Sequence, residues 1–171
     1  MKQAALKFID DRPRTFVPKI STENNEERYL LGMGGECLVA SKLSFMGFEV
    51  LKALRDGTKQ DLFIRYENKC FGVQVKTSQR RANQKNKNKD VWSFDFRLKE
   101  TIKGLQKSSK ETYNKNDVLI FACVCAEKEK VIFMENEPEN QMQYKFVDKD
   151  FDCTTNKTSI KTLTKIFEKN K

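Results

Sequence analysis

Apolar and polar residues alternate most cleanly between Asp61 and Lys76, where Leu62, Ile64 and Tyr66, then Phe71, Val73 and Val75, recur at every second position. That pattern predicts two strands of a hairpin turning at Asn68 and Lys69. With this tip, Leu62, Ile64 and Tyr66 fall opposite Val75, Val73 and Phe71 on one apolar face. Asp61 then falls opposite Lys76, and diagonal to Gln74, on the other face. From Tyr29 to Phe45 the spacing changes to that of a helix, with Glu36, Val39, Ala40 and Leu43 on one stripe. Gly47 is the expected stop, and Glu49 to Leu54 the expected first strand.

Further along, Val91 to Arg97 reads as a strand with Trp92, Phe94 and Phe96 on one face. The polar stretch Lys99 to Asn116 is expected to include a helix. Val118 to Ala126 and Val131 to Met134 predict a second hairpin, joined by the charged tip Glu127 to Lys130. Glu135 to Asp152 is acid-rich and reads as a loop. Ser159 to Lys169 closes the chain as an amphipathic helix with Ile160, Leu163, Ile166 and Phe167 inward. Residues 1–28 are polar, carry Pro13 and Pro18, and read as an arm or lead-in to a single domain over 29–171. This order predicts an α/β (α+β) fold, a mixed β-sheet lying between helices.

Composition narrows the chemistry. The 171 residues suit one domain. No apolar run approaches the roughly 18 residues of a membrane span, and the N-terminus lacks the apolar block of a signal peptide, so no membrane partner is expected. Five cysteines without a CxxC pair argue against a disulfide framework or a zinc ribbon. Cys123 and Cys125 share one face of an apolar run and read as core, which points to a reducing, cytoplasmic compartment. Histidine is absent, which excludes Ser-His-Asp triads and histidine-based metal hydrolases. The net charge of +9 favours a polyanionic partner.

Asp61, Gln74 and Lys76 place a carboxylate, an amide and an ammonium on one strand face, a constellation suited to a metal ion and a phosphate. Magnesium takes about six oxygen ligands and keeps several waters, so one or two carboxylates suffice. Asp61 is the anionic candidate, with the Gln74 side-chain oxygen and the Val75 carbonyl as neutral ones, and Lys76 is the group to orient water and stabilise developing charge. The competing reading of Asp61 and Lys76 is an ordinary cross-strand ion pair worth about 0.2–1 kcal/mol. Glu36 lies on an apolar stripe and needs a partner such as a metal, Lys76 or an arginine; the alternative is a helix-start glutamate, since Gly32, Gly34 and Gly35 precede it.

The run Gly32-Met33-Gly34-Gly35-Glu36, then Leu43 and Gly47-Phe48-Glu49-Val50, then Asp61, then Val73-Gln74-Val75-Lys76-Thr77, resembles the PD-(D/E)XK nuclease superfamily. The resemblance is closest to the group I intron-encoded homing endonucleases and the archaeal Holliday-junction resolvases. It covers about residues 29 to 78, with weaker support from Tyr113 to Asp117. It implies a restriction-endonuclease-like core, a prokaryotic, phage or organellar setting, and a Mg2+ site (Mn2+ as substitute) made by Glu36, Asp61 and Gln74 with the Val75 carbonyl. Glu36, Asp61, Gln74 and Lys76 match the site positions; Gln74 stands where most members hold Asp or Glu, as in some homing endonucleases.

The segment Lys76 to Lys89 carries six basic residues and no acid. Beside such a site, Arg80, Arg81, Lys85, Lys87 and Lys89 are candidates for phosphate contacts on double-stranded DNA; the alternative is a solvated loop. Trp92, Phe94 and Phe96 read as core, with base stacking as the competing role. The function expected is a metal-dependent DNA endonuclease of homing type acting as a homodimer or homotetramer. A junction or repair nuclease and an inactive nucleic-acid-binding module are the alternatives.

Overall fold

The computed structural model describes residues 25–53, 58–78, 81–82, 90–102, 105–137 and 143–171. In chain order the described elements are α1 (Asn25–Phe45), β1 (Glu49–Lys52), β2 (Leu62–Tyr66), β3 (Lys69–Ser78), β4 (Arg81–Ala82), β5 (Asp90–Asp95), β6 (Arg97–Ile102), β7 (Leu105–Thr112), β8 (Ile120–Cys125), β9 (Lys130–Glu135), β10 (Gln143–Val147), α2 (Asp148–Asp152) and α3 (Asn156–Lys169). Five strands form a mixed sheet in the order β1-β2-β3-β8-β9. Only the β3/β8 pair is parallel.

Strand β8 explains how the layers assemble. Its Ile-Phe-Ala-Cys-Val-Cys sequence is buried throughout, as expected for a strand covered on both faces. Ile120, Ala122 and Val124 join a core with Val39 and Leu43 of α1 and Leu163, Ile166 and Phe167 of α3. Phe121, Cys123 and Cys125 point the other way, into a core with Trp92, Phe94, Phe96 and Phe151. Helices α1 and α3 thus cover one face of the sheet, while the three-stranded sheet β10-β5-β4 and the short α2 contribute to the other. Cys123 and Cys125 are core residues, as expected. So are the three aromatics of the β5 segment, with Phe96 stacked on Phe121 at 4.3 Å, which removes their base-stacking alternative.

The β2/β3 hairpin forms with a register two residues away from the expected one. Its loop is Glu67 and Asn68, Tyr66 pairs with Lys69, and Leu62 pairs with Val73. Glu67 takes a left-handed φ of 55°, and the end of α3 holds this turn in place. Phe167 stacks on Tyr66 and on Phe71, each at 4.9 Å, and Lys171 pairs with Glu67 at 2.8 Å. A slip of two residues keeps every side chain on its expected face. It does shift Asp61 from opposite Lys76 to a place beside Gln74 and Val75.

Helix α1 begins at Asn25, four residues before the expected Tyr29, so Glu36 lies mid-helix and the helix-start reading of it falls away. Lys99–Asn116 contains no helix among its described residues but the antiparallel pair β6/β7; the stretch offers no apolar stripe for a helix to bury, and packing supplies most helical stability. Glu135–Asp152 is not all loop. Tyr144 and Phe146 pair with Phe94 and Trp92 across β10/β5, and α2 follows. Ile160 remains exposed while Leu163, Ile166 and Phe167 are buried. Residues 1–24, 54–57, 79–80, 83–89, 103–104 and 138–142 lie outside the described residues; with them go most of the proposed arm and the candidates Arg80, Lys85, Lys87 and Lys89. Arg81 is described only as backbone in β4.

Gly35 fixes the approach of α1 to β3. A Cβ built there would stand 1.9 Å from Thr77 Oγ1, whereas Gly32 and Gly34 face open space. Alanine raises helix propensity by about 1 kcal/mol over glycine, but overpacking costs about 1–3 kcal/mol. Gly35→Ala is therefore expected to destabilise the protein in urea unfolding, while Gly32→Ala and Gly34→Ala stabilise it; equal effects at all three would contradict this contact.

Candidate active site

Asp61 lies between β1 and β2, and backbone bonds set its position: Ala53 N–H donates to its carbonyl at 3.3 Å, and its own N–H donates to Val73 O at 3.0 Å. The side chain then reaches across to β3. Oδ2 accepts the Val75 N–H at 2.7 Å and the Gln74 side-chain amide. Gln74, only 8% exposed, also donates to the Val75 carbonyl at 3.3 Å. Alternation along β3 makes this possible, because Val73 and Val75 anchor the strand in the core while Gln74 and Lys76 occupy the opposite face.

Two lysines stand around this carboxylate. Glu36, brought to the sheet by the close approach at Gly35, pairs with Lys52 of β1 at 3.2 Å. Lys76 Nζ donates to the Tyr113 hydroxyl at 3.0 Å and lies 4.6 Å from the centre of its ring. Burial pushes the Asp61 carboxyl up to about 6, and the Glu36 charge adds to the rise; the Val75 N–H, Lys76 and Lys52 oppose it. Burial, then the Asp61 and Asp95 charges, push the Tyr113 hydroxyl up to about 12, so it stays protonated at neutral pH. Asp95 is held below the usual carboxylate range first by its hydrogen bonds from Arg97, at 2.9 and 2.6 Å, with Lys76 adding to the effect.

The structure brings Asp61, Gln74 and the Val75 backbone into direct contact. Glu36 and Lys76 both act on Asp61 through their charges. The donor set is made of oxygens: two carboxylates, the Val75 carbonyl and, if its amide turns over, Gln74 Oε1. No cluster of three or more acidic, cysteine or histidine residues is present among the described residues. Two carboxylates with neutral oxygens still match a hard divalent ion, which needs only one or two anionic ligands.

Sequence reasoning missed Lys52 and Asp95 and used Tyr113 only as weak support. Lys52 was detectable in principle: β1 and β2 are antiparallel with Lys52 opposite Leu62, which brings it close to Asp61. Asp95 carried no such signal, because its strand belongs to a second sheet.

A family profile described as PD-(D/E)XK endonuclease matches residues 28–163. The chain belongs to that family. A solved structure of a bacterial homing endonuclease, I-Ssp6803I, is similar in fold, with a TM-score of 0.61 and 21% identity over 83% of this chain and 94% of that one. The expected restriction-endonuclease-like core is thus the fold observed. No curated protein matches.

The raised Asp61 value has a signed consequence. Its folded pKa of about 6 lies above the unfolded value of 3.8, so stability falls as pH rises through that window. The penalty is complete above it, on the order of 2–3 kcal/mol. Asp61→Asn is therefore expected to be more stable than the parent in urea at pH 8, with the difference narrowing toward pH 4.5. A variant less stable at pH 8 would show that the carboxylate is not held at a cost.

Proposed function

We propose that this endonuclease hydrolyses phosphodiester bonds of double-stranded DNA with a divalent metal ion, cutting a specific duplex sequence in the manner of a homing endonuclease. The observation that carries the reading is the half-buried Asp61 carboxylate, gripped from β3 by Val75 and Gln74, with the charges of Lys76 and Lys52 acting on it. A carboxylate costly to ionise alone is one that a divalent cation stabilises strongly.

Magnesium, or manganese in its place, supplies neutralisation of the phosphate charge and acidification of a water. Asp61 is the anionic ligand, Glu36 the second acid, and the Gln74 and Val75 oxygens are neutral candidates. Lys76 orients the attacking water and stabilises charge building on the phosphate. Tyr113 limits where Lys76 can swing, since its hydroxyl accepts from Nζ while its ring faces the cation. Each protomer carries one such site, so cutting both strands takes a homodimer or homotetramer. A cytoplasmic setting agrees with cysteines kept as thiols.

Incubation with plasmid, four-way junction and single-stranded DNA plus magnesium tests this reading. Cleavage of duplex is expected; cutting of junctions alone would indicate a resolvase, and no cutting with magnesium or manganese would indicate a retired site. Lys76→Ala is expected to abolish cleavage while duplex affinity changes only a few-fold in a gel-shift titration. Joint loss of both would make Lys76 a binding or folding residue instead. Arg80→Ala and Arg81→Ala should each lower the salt slope of DNA binding by about one; an unchanged slope would take these residues out of the interface.

A further inference from the structure

A cavity of about 240 Å3 lies where the end of α1, the β8/β9 turn and the start of α3 meet. None of its lining residues belongs to the candidate active site. Three lysines line it, Lys42, Lys128 and Lys130, against one acid, the exposed Glu129. Lys128 is committed to α2, since it pairs with Asp148 and, at 2.9 Å, with Asp152. Lys42 and Lys130 are half-buried and have no ion pair among the described residues. Two cations drawn partly out of water without a counter-charge favour an anion beside them.

Helix α3 adds its own positive end. Thr155 caps it, the side chain accepting the Thr158 N–H at 3.2 Å. The backbone ladder begins with the Ser159 N–H, which donates to Thr155 O at 2.9 Å. Asn156 and Lys157 therefore have no acceptor within the helix for their N–H groups. The first turn also contains no acid to offset its partial positive charge. Thr155 and Asn156 both line the cavity.

Ser159 is the buried group that lacks a partner. It lines the same cavity, is only 7% exposed, and its side chain makes no hydrogen bond among the described residues. Its N–H is taken by Thr155, so the hydroxyl is the donor it presents to the cavity. A buried hydroxyl without a partner is costly, and an acceptor seated here would satisfy it.

We propose that this cavity binds a phosphate group, held by Lys42, Lys130, the Ser159 hydroxyl and the start of α3. Phosphate suits these donors because it brings negative charge and several strong acceptor oxygens to ammonium, hydroxyl and helix N–H groups. The group belongs either to a free phosphate compound or to a nucleic-acid backbone. The site stands apart from the metal chemistry proposed for Asp61.

The test uses the full chain without divalent metal. Inorganic phosphate is titrated calorimetrically at constant ionic strength, and duplex DNA affinity is measured across a salt series. Parent, Ser159→Ala and the Lys42→Gln/Lys130→Gln double variant are compared. The parent is expected to bind phosphate, Ser159→Ala at least tenfold more weakly, and the double variant not measurably. The thermal midpoint of phosphate-free Ser159→Ala should not fall, because alanine is the better helix former and no protein hydrogen bond is lost. A duplex salt slope lowered by about one in the double variant, the value for one phosphate no longer neutralised, would make DNA the source, whether or not free phosphate binds. Phosphate binding with an unchanged slope would make a free compound the source. Phosphate bound equally by the parent and both variants would overturn the site. So would a parent that binds no phosphate together with a double variant of undiminished slope. A lower phosphate-free midpoint for Ser159→Ala would make the hydroxyl structural and overturn its role as a ligand contact.

Discussion

One half-buried carboxylate, fixed just before the interior strand β2 and reaching across to β3, governs this molecule. Asp61 reaches β3 only because the chain before β2 is tied down by Ala53 and Val73, and only because Val75 offers an N–H at 2.7 Å. The same strand that anchors the core through Val73 and Val75 presents Gln74 and Lys76 on its other face. Fold and site therefore share a backbone. Ionising this half-buried carboxyl costs stability, and the same partial burial strengthens its attraction for any cation.

The neighbours of Asp61 divide the electrostatic work. Glu36 raises its pKa, and Lys52 and Lys76 lower it. At position 74 an acid would add a buried negative charge beside that of Asp61. Glutamine instead donates to it and to the Val75 carbonyl, satisfying two acceptors with one neutral group. The second acid comes from α1, which approaches closely enough because residue 35 has no side chain. Under the proposed function this arrangement holds fewer negative charges than a three-acid site, and Glu36 becomes the natural complement to Asp61.

Much of this was readable from spacing alone. Alternation in Leu62-Ile64-Tyr66 and Phe71-Val73-Val75 fixed the faces of the hairpin, and a register slip of two residues left those faces intact. It did change which residue Asp61 meets, because the turn is set by Phe167 and Lys171 from the far end of the chain, a contact that local pattern cannot carry. The helix expected in Lys99–Asn116 failed for a related reason: its residues tolerate a helix, but no apolar stripe rewards one. Tyr113 and Asp95 reach Lys76 through tertiary packing between separate sheets, which leaves no periodic trace. Lys52 was the exception, recoverable from the antiparallel relation of β1 and β2.

If the Asp61 carboxylate serves to hold a metal, calorimetric titration of Mn2+ into the purified protein reads that directly, without DNA or turnover. The parent should bind the ion, and an Asp61→Asn protein that is folded by circular dichroism should not. Binding retained in full by that variant, or no binding by the parent, would contradict the account.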